Sequence, residues 1–180
     1  TSAGLPREQR LAIEATYRAL NKEPARAVEI LKALRTFFPD DLEHGIRLAE
    51  ALVQAGKPVE AYAVLDELGR LPAPLGDDPR IGLAEAAAAD AAADYARCLR
   101  VARAAAAGAQ ARDARLLMAQ ALTLEGLALS RLGRPEEAAE PVARAVATFA
   151  AVGDRFREAR AAYTLGVLNY DRGELRQARA

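Results

Sequence analysis

The side chains able to do chemistry in this chain are few and scattered. His44 is the only histidine, in Asp41-Leu42-Glu43-His44-Gly45. No second histidine or nearby cysteine stands ready to share a metal. It reads as an exposed residue in the first turn of a helix. Cys98 is the only cysteine. A nucleophilic thiol wants a base beside it, so a small, buried, apolar role is expected instead. Glu136-Glu137 and Asp77-Asp78 are adjacent carboxylates. Each pair lies at a helix start, where negative charge suits the helix dipole, so neither reads as an acid–base pair. Arg97, Arg100 and Arg103 form one basic stripe, and Arg155, Arg157 and Arg160 a second cluster. A nucleic-acid surface would interleave aromatics. The first stripe has none, so a solvated, ion-paired face is expected. No glycine-rich phosphate loop is present. No mutually supporting constellation exists, and the reading is of no enzyme, no cofactor and no metal.

What positions these residues is a six-residue unit that recurs. Gly133-Arg134-Pro135-Glu136-Glu137-Ala138, Gly56-Lys57-Pro58-Val59-Glu60-Ala61 and Gly173-Glu174-Leu175-Arg176-Gln177-Ala178 share one form. Lys22-Glu23-Pro24-Ala25-Arg26-Ala27 and Ala93-Asp94-Tyr95-Ala96-Arg97-Cys98 are weaker copies. The copies start at 22, 56, 93, 133 and 173, so they are 34, 37, 40 and 40 residues apart. Such a period marks a helical repeat array. The leading glycine can take the left-handed conformation after a helix. Proline fits the first turn of the next helix. The closing alanine lets two helices approach closely.

Composition agrees. The chain has 180 residues, and 52% of them are hydrophobic. Much of this is alanine, a strong helix former. Tryptophan is absent and formal net charge is zero, so no basic excess points to nucleic acid. One cysteine implies no internal disulfide. No uncharged apolar run reaches the 18 or so residues of a membrane span. These observations exclude membrane insertion and favour a cytoplasmic setting. The start, Thr1-Ser2-Ala3-Gly4, is neither a signal peptide nor an initiator methionine. The final copy leaves its helix short, and the chain is read as a fragment of a longer protein.

The periodicity predicts helices over Pro6–Leu20, Pro24–Phe37, Leu42–Ala55, Pro58–Gly69, Arg80–Ala92, Asp94–Ala107, Ala111–Leu132, Pro135–Ala151 and Arg155–Arg172, with Glu174–Ala180 opening another. Ile13, Tyr17 and Leu20 fall on one helical face with Leu11 and Ala15. Gly108 is expected to end the helix before it. Asp40 or Asp41 is expected to cap the third helix. Leu71–Pro79 reads as an ordered loop. The fold class is all-α: a right-handed α-solenoid of about five helical hairpins, about 6–39, 41–70, 80–107, 111–151 and 155–180, in a single domain over 1–180.

Three features per repeat make the chain resemble the tetratricopeptide repeat (TPR) family. A large-small step recurs as Leu48-Ala49 with Leu52, Glu125-Gly126 with Leu129, and Leu165-Gly166 with Asn169. Alanine with a large residue four later recurs at Ala27 and Leu31, Ala61 and Leu65, Ala138 and Val142. Pro39 closes a unit. The resemblance covers nearly the whole chain. Glu125 and Asn169 depart from it, as do Cys98 and the 40-residue periods, which imply longer helices or longer loops. HEAT-like repeats also run near 40 residues, but are not expected to carry the Gly-x-x-x-x-Ala turn. The segments 37–43 and 165–173 are similar to TPR regions of large bacterial signalling proteins, among them Ser/Thr kinases of eukaryotic type and winged-helix regulators.

The resemblance implies a concave groove lined by the first helix of each hairpin. By position it would hold Glu43, Ile46, Glu50, Val53 and Gln54. Then come Gln120, Thr123, Leu127, Ser130 and Arg131, and after them Arg160, Tyr163, Val167, Tyr170 and Asp171. Tyr163 and Tyr170, seven apart, share a face, either in the groove or packing against a following repeat. The family's lysine and asparagine clamp for a C-terminal carboxylate is absent, because its positions hold Ile46, Glu50, Thr123 and Leu127. The implied function is a non-enzymatic scaffold that binds a protein or peptide partner in the groove, within a bacterial regulatory protein. The alternative is a structural spacer or oligomerisation segment. An uncovered apolar face on the last full helix, including Leu165 and Leu168, implies self-association or fraying at the C-terminal end.

Overall fold

The computed structural model describes residues 5–171. Among them, nine helices follow one another: α1 (Arg7–Leu20), α2 (Pro24–Phe37), α3 (Leu42–Gln54), α4 (Pro58–Gly69), α5 (Pro79–Ala91), α6 (Tyr95–Ala111), α7 (Arg115–Arg131), α8 (Pro135–Val152) and α9 (Arg155–Asp171). No strand occurs among the described residues. The fold class is the all-α helical-repeat solenoid: α1 to α5 pack each on the next, and so do α6 to α9. The copy at 173–178 lies outside the described residues.

The turns explain the architecture. One residue after each of six helices is left-handed: Lys22, Gly56, Ala93, Asp113, Gly133 and Gly153, with φ between 49° and 74°. The residue after it donates its N–H back across the turn. Lys57 N reaches Leu52 O at 2.8 Å, Ala114 N reaches Ala109 O at 2.9 Å, and Arg134 N reaches Leu129 O at 2.9 Å. This is the Schellman closure, which satisfies a carbonyl the helix end leaves unpaired.

From Ala93 onward the left-handed residues fall at 93, 113, 133 and 153, every 20 residues. The helices between them have 17 or 18 residues, whereas α1 to α5 have 12 to 14. The difference is about one helical turn. The 40-residue period therefore comes from longer helices, not longer loops. Gly108 does not end α6, which runs through it to Ala111. A helix-interior glycine costs about 1 kcal/mol, and the surrounding alanines carry the helix past it. The break falls instead at Arg112–Ala114, so α7 starts at Arg115 rather than Ala111.

An alanine at positive φ is strained, because Cβ crowds the carbonyl. Ala93→Gly should therefore raise stability by about 0.5–1 kcal/mol, after the glycine's extra freedom in the unfolded chain is subtracted. Urea unfolding midpoints check this. A lower midpoint for the variant would show that the turn carries no such strain.

The chain packs into two compact units, Thr1–Ala92 and Ala93–Ala180. In the first, Ala27, Leu31 and Leu34 of α2 meet Leu48, Leu52, Leu65 and Leu68 in one core. Asp41 caps α3 by accepting from His44 N at 2.7 Å, and Asp78 caps α5 by accepting from Arg80 N at 2.9 Å. In the second, Ala102, Ala119, Leu122, Leu129, Ala138, Val142, Ala145 and Phe149 are buried. Cys98 is buried too, its Sγ 3.9 Å from Leu124 O. Gly126 makes the closest approach: a Cβ there would lie 2.2 Å from Val142 Cγ2 and 3.0 Å from Ala138 O. Alanine at 138 and glycine at 126 thus let α7 and α8 touch at the backbone.

On α9 the apolar faces divide otherwise than expected. Leu168 is buried and Leu165 half-buried, because both point toward the helices already packed. Phe156, Tyr163, Val167 and Tyr170 form the exposed stripe. On α1, Ala15 faces the core, while Ile13, Tyr17 and Leu20 are exposed. Neither helix has a described neighbour on that side to cover it.

Candidate groove between the first helices of the hairpins

In the first unit, α1 and α3 wall a shallow groove of about 140 Å³, with Leu31 of α2 at its base. Its apolar lining is Ala15, Ala19, Leu31 and Ala51, with the exposed Leu20 at the rim. Its polar groups are Thr16, Arg47, Glu50 and Gln54. The helical period produces this arrangement. Arg47, Glu50, Ala51 and Gln54 are spaced by three and four, so they share one face of α3. Glu50 and Gln54 therefore both line this groove. Arg47 donates to Thr16 Oγ1 across the groove, and Thr16 in turn donates to Ala12 O at 2.8 Å.

Glu50 lines the groove and keeps part of its surface in solvent. Burial pushes its carboxyl pKa up. Repulsion from Glu43 adds to the rise, and Arg47 opposes it. No ion pair to Glu50 is made among the described residues. A raised acid favours the protonated form in the folded state. Its stabilising effect is full below the ordinary value of 4.5 and is lost as pH rises through the folded value. Glu50→Gln should therefore lose less stability than wild type between about pH 4 and pH 7. Urea titrations of both proteins at the two pH values test this, and parallel losses would refute it.

The remaining expected groove residues divide. Glu43 pairs with Arg80 at 3.3 Å, Ile46 is buried and Val53 half-buried. In the second unit Gln120 is half-buried and Arg131 exposed. Thr123 is corrected: it is buried, and its hydroxyl donates to Ala119 O at 2.9 Å. It has no donor left for a ligand, because α7 turns that face inward. Tyr163 and Tyr170 are exposed at 75% and 64%. Asp171 is the last residue of α9, and its side chain lies outside the described residues.

The basic stripes behave as solvated, paired faces. Arg103 meets Glu125 at 2.8 Å, Arg155 meets Glu158 at 3.0 Å and Arg157 meets Asp154 at 2.5 Å. Glu137 pairs with Arg134 at 2.7 Å, which is a helix-start role. His44 departs from expectation. It is buried, not exposed, with its ring edge-on to Phe38 at 5.9 Å between centroids. The cause is α1, whose first turn folds over it. That contact is 36 residues away in sequence and has no local signal.

A second cleft, about 470 Å³, was not legible in the sequence. It opens in the second unit where the α6–α7 turn meets the last turns of α8. Gln110, Arg115, Met118, Arg144 and Thr148 line it. Arg115 pairs there with Asp113 at 3.3 Å. The turn at Asp113, one that the six-residue unit does not mark, forms one side of the cleft. No helix among the described residues is long and apolar enough to cross a membrane.

The comparisons agree with this geometry. A tetratricopeptide repeat family model matches residues 19–86. No curated protein matches the sequence. Among solved structures, TPR-like repeats assigned to a kinesin light chain of Podosopora anserina superpose with a TM-score of 0.73 at 18% identity, covering 96% of this chain and 90% of that one. MamA from Desulfovibrio magneticus RS-1 gives 0.68 at 21% identity, with 96% and 89% covered. A Rap protein complexed with competence and sporulation factor gives 0.75 at 15% identity, covering 92% of this chain and 48% of that chain. A tetratricopeptide repeat is thus matched over residues 19–86, and the fold is similar to that of solved TPR-like repeat structures.

Proposed function

We propose, from the premise that this is a tetratricopeptide-repeat chain, that it is a non-enzymatic scaffold holding a peptide segment of a partner in the α1–α3 groove, within a bacterial regulatory protein. The observation that carries the reading is Glu50. It lines the groove beside apolar residues with its ionised form disfavoured by burial, and no ion pair to it is made among the described residues. A basic side chain from a partner would relieve that cost, while an aliphatic neighbour covers the exposed Leu20 at the groove rim. Gln54 offers an amide to the partner's backbone. The exposed tyrosines of α9 supply aromatic area in the second unit, at little entropy cost. A neighbour of the same fold is found in complex with a factor, which supports partner binding as a use of this architecture. The family is typically non-catalytic, and the side chains described offer no nucleophile beside a base.

Selection from a displayed peptide library tests the proposal. The expected winners carry Lys or Arg beside an aliphatic residue, and they lose binding to Glu50→Lys. Winners indifferent to that change would remove the α1–α3 groove from the site. No selected peptide would favour the oligomerisation reading, to which the exposed stripes on α1 and α9 give a surface.

A further inference from the structure

Outside the groove, one side-chain cluster has a demand the fold leaves unmet. His44 is more than nine-tenths buried. Its Nε2 lies 3.2 Å from Glu8 Oε1, and its Nδ1 lies 3.8 Å from Asp41 Oδ1. Nδ1 is buried and has no hydrogen-bond partner. A neutral imidazole has one N–H. With a single N–H for two carboxylates, one ring nitrogen presents its lone pair to a carboxylate whichever tautomer forms, and two acceptors face each other. A cation between them satisfies both. One ligating atom each from Glu8, Asp41 and His44 lies within 4.8 Å of the others.

We propose that Glu8, Asp41 and His44 bind a divalent cation of the zinc class. One imidazole nitrogen and two carboxylates are a borderline donor set, which suits zinc. Magnesium and calcium prefer all-oxygen surroundings. Zinc bonds of about 2.0–2.2 Å require the donors to close on one another by about 1 Å. Glu8 and Asp41 can make that movement, because their side chains are 41% and 39% exposed. Water completes the tetrahedron. Phe38, edge-on to the ring, closes the apolar side of the site. The cation would tie the first turn of α1 to the N-terminus of α3. These are the two helices that wall the groove, so zinc would set their spacing. The site itself does not depend on what the groove binds.

The test is a titration of the intact protein with zinc chloride, read by competition with a chromophoric chelator and by the shift in thermal midpoint. One equivalent is expected, with a raised midpoint and no competition from millimolar magnesium. Glu8→Gln removes one carboxylate charge at an exposed side chain. Asp41→Asn removes the other and keeps a residue able to cap α3. Each should weaken zinc affinity about tenfold or more, while circular dichroism without zinc matches wild type. Absence of stoichiometric binding to wild type would overturn the proposal. So would binding that neither variant weakens.

Discussion

Gly126→Leu is expected to lower stability by about 3 kcal/mol. The reason is distance. Even a single Cβ at 126 would stand 2.2 Å from Val142 Cγ2 and 3.0 Å from Ala138 O. Val142 is fully buried, and its branched side chain has one favoured rotamer in a helix, so it cannot swing away. The backbone of α8 cannot retreat without opening the buried layer around Ala145 and Phe149. Leucine adds three more carbons to the conflict. Ala138→Leu meets the same contact from the other side and should cost about 1–3 kcal/mol. Ala147→Leu, on the exposed face of α8, is the control and should stay near wild type. Denaturant midpoints give the comparison. If both contact variants match wild type, α7 and α8 do not meet at these residues in solution.

Tyr163→Ala with Tyr170→Ala is expected to weaken capture of a peptide selected on the second unit's own α9 face tenfold or more, about 1.4 kcal/mol, with the fold intact. Both rings are mostly exposed, so truncating them removes little native packing. Two exposed tyrosines on one helical face, with Phe156 and Val167 beside them, make an apolar patch of the kind that marks interaction surfaces. Calorimetric titration of a peptide selected by wild type measures the loss. A folded double variant with unchanged affinity takes the α9 face out of the binding site. Sedimentation of the same pair distinguishes the alternative. Concentration-dependent mass in wild type, lost in the double variant, would assign the stripe to self-association.

How much could be read beforehand depends on where each signal lies. Turns marked by glycine at 56 and 133 were legible, since only the backbone conformation was at stake. The turn at Asp113 was not. Asp113 takes the left-handed conformation without being glycine, and Asp113 to Met118 carries neither the leading glycine nor the closing alanine of the six-residue unit. Gly108 compounded this, because a glycine in an alanine-rich stretch resembles a stop. The groove was half legible. The residues of α3 follow one clean face, and Glu50 and Gln54 meet in it. On α7 small and large apolar residues surround the helix, and nothing local says that Thr123 points inward. His44 was read wrongly because its partner is Glu8, and pairs that far apart leave no periodic trace.

The 20-residue rhythm of the second unit has a mechanical consequence. Its helices pack on their neighbours in the sequence, α6 on α7, α7 on α8 and α8 on α9. Apart from a small contact of α7 with α9, no non-sequential clasp among these described helices must fail all at once. Tension applied along such a chain peels one helix and its turn before the next, like a zip fastener. Each step frees about 20 residues, roughly 7 nm of extended chain. Evenly spaced left-handed turns thus make the unit a ruler as well as a fold: its length under load changes in equal increments, and each increment exposes one more inter-helix face.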